Sequence, residues 1–160
     1  YAYADEAGYV FFAGRSVDWI RVDGENFGAV QVERVLSGLP GVREIAVYGV
    51  PDAAAGDQVM VALVGAFNPA GFVGFLEGRR DLSPKWIPRY VRICSELPTT
   101  PSNKVLKRRL AAEGWLCGDP VWWRPGREIS YRLMNADDQA RVRLDFERRG
   151  RLNLLEGMGR

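Results

Sequence analysis

The sequence predicts an α+β fold: a small three-stranded sheet covered by helices and preceded by a β-hairpin. Three observations carry that expectation. Strand-like, strand-like, helical, strand-like and helical segments follow one another between residues 42 and 110. Residues 59–67 are almost unbroken apolar, which suits a strand covered on both faces. Two short aromatic-rich runs open the chain around a polar turn.

Those opening runs, 1–4 and 9–13, flank Asp5-Glu6-Ala7-Gly8 and read as a hairpin with a four-residue turn. A hairpin is marginal alone, so this one is expected to pack on the domain or to belong to a preceding part of the protein. Ile20 and Val22 then alternate with Arg21 and Asp23 as a second hairpin arm, and Gly24 marks a tight turn. Asn26 is the expected N-cap of a helix on which Phe27, Val32, Val35, Leu36 and Leu39 recur, ended by Pro40-Gly41. Residues 42–50 form a β-branched strand that stops at Pro51-Asp52, and 59–67 form the centre of the sheet. Asn68-Pro69 reads as N-cap and first residue of a helix with Phe72, Phe75 and Leu76 on one face and Arg79 and Arg80 at its end. Residues 89–94 give the third strand.

The stretch 97–110, L-P-T-T-P-S-N-K-V-L-K-R-R-L, is a proline-stiffened loop running into a basic helix. Pro98 and Pro101 fix φ and withhold donors, so the loop must cross the surface. Ser102 is the expected N-cap, Val105, Leu106 and Leu110 the apolar stripe, and Lys104 sits where loop becomes helix. An ammonium on such a stalk suits a phosphate or carboxylate oxygen; the plainer alternative is a solvated basic face. Further on, Trp115, Trp122 and Trp123 read as an edge strand or a lid, and 135–150 as a capped surface helix.

Composition narrows the chemistry. With 22 basic and 20 acidic residues the net charge is +2, which argues against a nucleic-acid partner. The chain has no histidine, which excludes Ser-His-Asp and Cys-His catalysis and H-E-x-x-H zinc sites. Cys94 and Cys117 have no metal-binding spacing and are assigned no role. The longest apolar run is too short to span a bilayer and no signal segment opens the chain, so a cytoplasmic location is expected, with peripheral membrane contact left open. A start at Tyr1 rather than Met suggests a piece of a longer protein.

Against this background two motifs stand out. Residues 14–26 read G-R-x-x-D-x-I-x-x-x-G-E-N before a helix carrying Val32-Glu33, and about eighty residues later Leu97-Pro98-Thr99-Thr100-Pro101-Ser102-Asn103-Lys104 precedes a basic helix. Together they resemble the hinge and the catalytic-lysine loop of the adenylate-forming acyl-CoA synthetases. G-E-N and the later D-P-V-W-W-R (119–124) are similar to the very-long-chain or fatty-acid-transport branch. Two departures are visible: Val17 stands where many members carry Asp or Lys, and Asn103 replaces the usual glycine. Asn is among the few residues that tolerate left-handed backbone.

The resemblance implies a division into residues 1–15, the end of a preceding domain, and 16–160, a mobile C-terminal domain. It implies Lys104 as the adenylation lysine, Arg15, Arg21 and Asn26 at the ATP or adenylate, Ser16 and Val17 as hinge, and Asp23, Gly24 and Glu25 at coenzyme A, with Gly24 lining the pantetheine path. ATP, Mg2+ and coenzyme A would serve the complete enzyme, a fatty-acid:CoA ligase, and the domain's partner would be its own N-terminal domain. No resident metal site and no activity of the isolated piece are expected. The alternatives are the lid of another adenylate-forming enzyme, such as a fatty acyl-AMP ligase, or a freestanding binding module with a basic loop.

Overall fold

One long apolar strand organises the molecule. The computed structural model describes residues 2–4, 9–12 and 18–159. In these the chain runs β1 (Ala2–Ala4), β2 (Val10–Phe12), β3 (Trp19–Val22), β4 (Glu25–Gly28), α1 (Ala29–Leu36), β5 (Val42–Pro51) and β6 (Asp57–Gly65). It continues through α2 (Pro69–Glu77), β7 (Tyr90–Cys94), α3 (Lys107–Glu113), β8 (Val121–Trp123), β9 (Arg132–Leu133) and α4 (Ala136–Arg148). Short 3-10 turns lie at Pro84–Trp86 and Leu152–Leu155.

β6 is buried on both faces, and its alternation sorts the core. Met60, Ala62 and Val64 join Tyr48, Tyr90, Leu110, Trp115, Trp123 and Phe146 on one side. Val59, Val61 and Leu63 join Ile20, Phe27, Val32, Leu36, Phe72 and Val91 on the other. Strand alternation thus places α3 and α4 against one face and the β3–β4 hairpin, α1 and α2 against the other. β5 pairs antiparallel with β6, β6 runs parallel to β7, and α2 lies in the crossover that a parallel pair requires.

The α+β class holds, but the sheet has five strands, in the order β5-β6-β7-β8-β9. The expected three left out Arg132–Leu133 and gave Trp122–Trp123 as either an edge strand or a lid; the latter is a strand, second from the edge, and the two extend the sheet beyond β7. Their signal is weak because each strand is only two or three residues long and is defined by its partner. With them in place β7, not β6, is the middle strand. The opening hairpin is present, with Tyr3 opposite Phe11.

Three helix boundaries also move. Asn26 caps nothing: it lies in β4 opposite Arg21, and α1 begins three residues later behind Gly28, which makes no side-chain cap. The cause is the turn. Asp23 and Gly24 have φ of 46° and 80°, the left-handed pair of a two-residue hairpin, which sends 25–28 back as a strand and buries Phe27 from there. α3 starts at Lys107, so Ser102 is a turn residue whose hydroxyl meets Thr100 Oγ1 at 2.9 Å rather than a helix cap. α2 ends at Glu77, and Arg79 instead forms a fork with Asp81. Two expected caps are present: Asn68 accepts from Ala70 N with Pro69 at the first turn, and Asn135 and Asp138 form a reciprocal capping box on α4. Arg132 grips the buried Asp138 at 2.6 Å and holds its carboxyl below the usual range.

Candidate functional site

The Lys104 loop is closed by its own main chain. Thr100 N donates to Lys104 O at 2.8 Å, Lys104 N donates to Thr100 Oγ1 at 3.1 Å, and Asn103 N donates to Thr100 O at 2.9 Å. Leu106 N donates to Pro98 O, and Thr99 bridges Val105. Asn103 takes φ of 63°, the left-handed conformation expected of the residue that replaces glycine. Val105 packs on the core, while Lys104 is exposed. The ammonium is therefore delivered by a rigid loop just before α3, not from the helix itself. It lines a depression of about 330 Å³ together with Asp18, Thr100, Leu106, Lys107 and Arg108.

Lys107 is the residue that local pattern did not single out. Its Nζ lies 2.8 Å from Glu33 Oε1 and 3.4 Å from Asp18 Oδ1, and its side chain is only 14% exposed. The same Glu33 oxygen accepts from Val47 N at 2.8 Å, satisfying an N–H on the outer edge of β5. The two acids come from the start of β3 and from α1, far upstream in sequence, so spacing held no signal of the pairing. At the other end of α3, Glu113 Oε2 meets Arg92 Nη2 at 2.6 Å, and Arg92 Nε meets Asp119 Oδ2 at 2.7 Å. Burial pushes Glu113 upward, but hydrogen bonds from Arg92 and Arg109 outweigh it and hold the carboxyl below its ordinary value.

The β3–β4 hairpin carries the other predicted residues. Arg21 and Asn26 face each other across the ladder. Arg21 N donates to Asp57 Oδ2 at 3.0 Å, and burial nevertheless raises the Asp57 carboxyl. Gly24 sits at the tip with nothing within 4 Å of where a Cβ would lie, so its backbone is open to approach. Glu25 is engaged: Trp86 Nε1 donates to it at 3.3 Å and Lys85 Nζ lies 3.5 Å away, while Lys85 also donates to Asp23 O at 3.3 Å. The depression beside Lys104 touches the start of β3, whereas Gly24 lies beyond its end. A four-residue strand, roughly 13 Å long, separates them.

Arg15, Ser16 and Val17 lie outside the described residues. Cys94 and Cys117 are free thiols, the first pushed up to about 12 and the second also raised, both by burial, which leaves them protonated and inert. Among the described residues no group of three His, Cys, Asp or Glu side chains converges on a metal position. Nor is any described helix long and apolar enough to cross a membrane.

A loop that presents an exposed lysine thus lies near the start of a hairpin whose tip presents a bare glycine backbone. The chain belongs to the family of AMP-binding enzyme C-terminal domains, whose pattern residues 31–104 match up to Lys104 itself. It is 58% identical over 125 residues to the medium/long-chain-fatty-acid–CoA ligase FadD17 of Mycobacterium marinum, covering 76% of this chain and 25% of that protein. To the steroid-22-oyl-CoA synthetase of Rhodococcus jostii it is 47% identical over 158 residues, 96% of this chain and 28% of that protein. The fold superposes on ATP-bound MatB from Rhodopseudomonas palustris with a TM-score of 0.57 and 31% identity, over 69% of this chain and 22% of that one. The chain thus spans about a quarter of the length of the curated relatives it matches.

Proposed function

We propose that this chain is the mobile C-terminal domain of an ATP-dependent fatty-acid:CoA ligase. Residues 16–160 form that domain, 1–15 end the domain before it, and Ser16 and Val17 are the hinge. The observation that carries the reading is the exposed Lys104 ammonium on a self-closed loop at one end of the β3–β4 hairpin, with the open backbone of Gly24 at the other. In the first step a carboxylate attacks the α-phosphate of ATP, forming acyl-adenylate and releasing pyrophosphate. Lys104 stabilises the charge that develops on the carboxylate and phosphate oxygens, while Arg15, Arg21 and Asn26 meet the nucleotide. After rotation at the hinge, the coenzyme A thiol attacks the acyl carbonyl and AMP leaves, with Asp23, Gly24 and Glu25 beside the pantetheine.

Gly24 suits that role because a side chain there would intrude on the path. Glu25 contributes mainly by holding the tip to Lys85 and Trp86. Magnesium enters with the phosphates of ATP. The proposed location is the cytoplasm, where both ATP and coenzyme A are available. The domain's obligatory partner is its own N-terminal domain, which would also hold the fatty acid. The test is to assay acyl-adenylate formation by this chain alone and joined to that domain: activity is expected only in the joined form. Turnover of ATP and fatty acid by the chain alone would overturn the reading.

A further inference from the structure

We propose that Lys107 is a positioning residue for the Lys104 loop. Through Asp18 and Glu33 it locks the loop, the start of β3 and α1 into one rigid unit that turns with the domain at the hinge. The inference rests on the reading of Lys104 and of the hinge given above.

The side chain is placed against ordinary preference. Lys107, Arg108 and Arg109 open α3, whose first turn holds no acidic residue. Cations at a helix N-terminus oppose the dipole, and burying most of a lysine sacrifices the rotamer freedom of a long side chain. Two carboxylates offset both costs, Glu33 at 2.8 Å and Asp18 at 3.4 Å, themselves only 20% and 32% exposed. Glu33 cannot swing away without releasing Val47 N at the sheet edge. Asp18 is the residue next to the proposed hinge, and β3 begins immediately after it.

There is also no slack between Lys107 and Lys104. The Leu106 N to Pro98 O bond, 2.7 Å, closes the loop one residue before the helix begins. The far end of α3 is pinned by Glu113 to the buried Arg92. With both ends of α3 held, the place of the Lys104 ammonium relative to the hinge is set by the contact of Lys107 with Asp18 and Glu33. Losing that contact frees the loop end of α3 while Arg92 still holds the other, so the ammonium drifts without the domain unfolding.

The experiment uses the complete ligase and times the two half-reactions separately for Lys107→Met, Lys107→Arg, Asp18→Asn and Lys104→Ala. Misplacing a catalytic group by about 1 Å costs up to roughly 100-fold, so Lys107→Met is expected to lower the kcat of adenylation by roughly 10- to 100-fold. KM for ATP should stay within about twofold, and thioester formation from supplied acyl-adenylate within about threefold, because positioning is lost only for the step Lys104 serves. Lys107→Arg should restore most of the rate, since a guanidinium can still reach both acids. Asp18→Asn should reproduce part of the loss, and adding it to Lys107→Met should cost nothing further, because the two act as one unit.

Normal adenylation in Lys107→Met, alongside slow adenylation in Lys104→Ala, would overturn the clasp and leave the reading of Lys104 intact. Equal loss in both half-reactions with a lowered Tm would overturn it in favour of a purely structural ion pair. Normal adenylation in Lys104→Ala would overturn the reading of Lys104 and the clasp with it. Should Lys107→Met not fold, Asp18→Asn, which leaves the Lys107–Glu33 pair in place, decides by the same criteria.

Discussion

The Lys104 loop and the Gly24 hairpin tip are two small surface features held in opposite ways. The loop is shaped by bonds inside residues 98–106, by two prolines and by one left-handed Asn. The tip owes its turn to Asp23 and Gly24 but its stance to Lys85 and Trp86, some sixty residues away. Phe27, returning from that turn, packs at a tilt against the same Trp86 with ring centroids 5.4 Å apart. The difference follows from what each must present. A single ammonium needs a stiff local stalk, and then an anchor to the body, which Lys107 supplies. A bare glycine backbone needs only to be left uncovered, so its support comes from behind.

The sharpest way to break the comparison is Lys104→Ala in the complete enzyme. Losing one preorganised donor costs about 2.7 to 4 kcal/mol, so adenylation should slow by roughly 100- to 1,000-fold while thioester formation from supplied acyl-adenylate changes little. Equal loss in the two steps would erase the distinction between the two ends of the hairpin. Gly24→Leu should do the reverse, lowering thioester formation by about tenfold, near 1.4 kcal/mol, and sparing adenylation. Its φ of 80° adds backbone strain to any side chain. Gly24→Asn, which tolerates that φ, separates strain from obstruction: a thioester defect that disappears in Gly24→Asn means strain alone.

The smallest effects belong to α4, which lies apart from both features. Asn135→Ala should cost about 1 kcal/mol of stability, read as a lower Tm, with both half-reactions unchanged at 25 °C. Its partner Asp138 adds a pH signature. The folded carboxyl is held below its unfolded value of about 3.9 by Arg132, so its contribution is complete above that pH and fades as pH falls through the lower folded value. The Tm gap between the parent and Asp138→Asn should therefore be widest near neutrality and narrow below about pH 4. A gap that stayed constant with pH would mean that packing, not the ion pair, carries the effect.

Elements built from near neighbours were legible in advance. β5, β6, β7 and the Asn68-Pro69 start of α2 follow from β-branched, unbroken apolar and alternating runs and from cap chemistry, all of which act over a few residues. The proline-stiffened Lys104 loop was legible for the same reason, whereas the left-handed Asn103 followed from the resemblance, which puts a glycine there. Asn26 misled because Asn before an apolar run satisfies the helix-cap pattern as well as it satisfies a returning strand. The decisive signal is the Asp23-Gly24 turn, a two-residue hairpin bend that turns 25–28 into β4.

By itself the sequence determined the apolar strand at 59–67, the stiff lysine loop, the tight turn at Gly24 and the capped α4, because apolar runs, turn sterics and caps are local physics. Only the tertiary structure decided that Trp122–Trp123 and Arg132–Leu133 extend the sheet to five strands, since strands this short exist only through their partners. It also decided that Lys107 faces Asp18 and Glu33 instead of solvent, and that Arg92 pins the far end of α3. A charge has no periodicity that names its partner. Which acid meets which base is settled when distant segments are brought within a few ångströms and the cost of burying each charge must be offset by its neighbour.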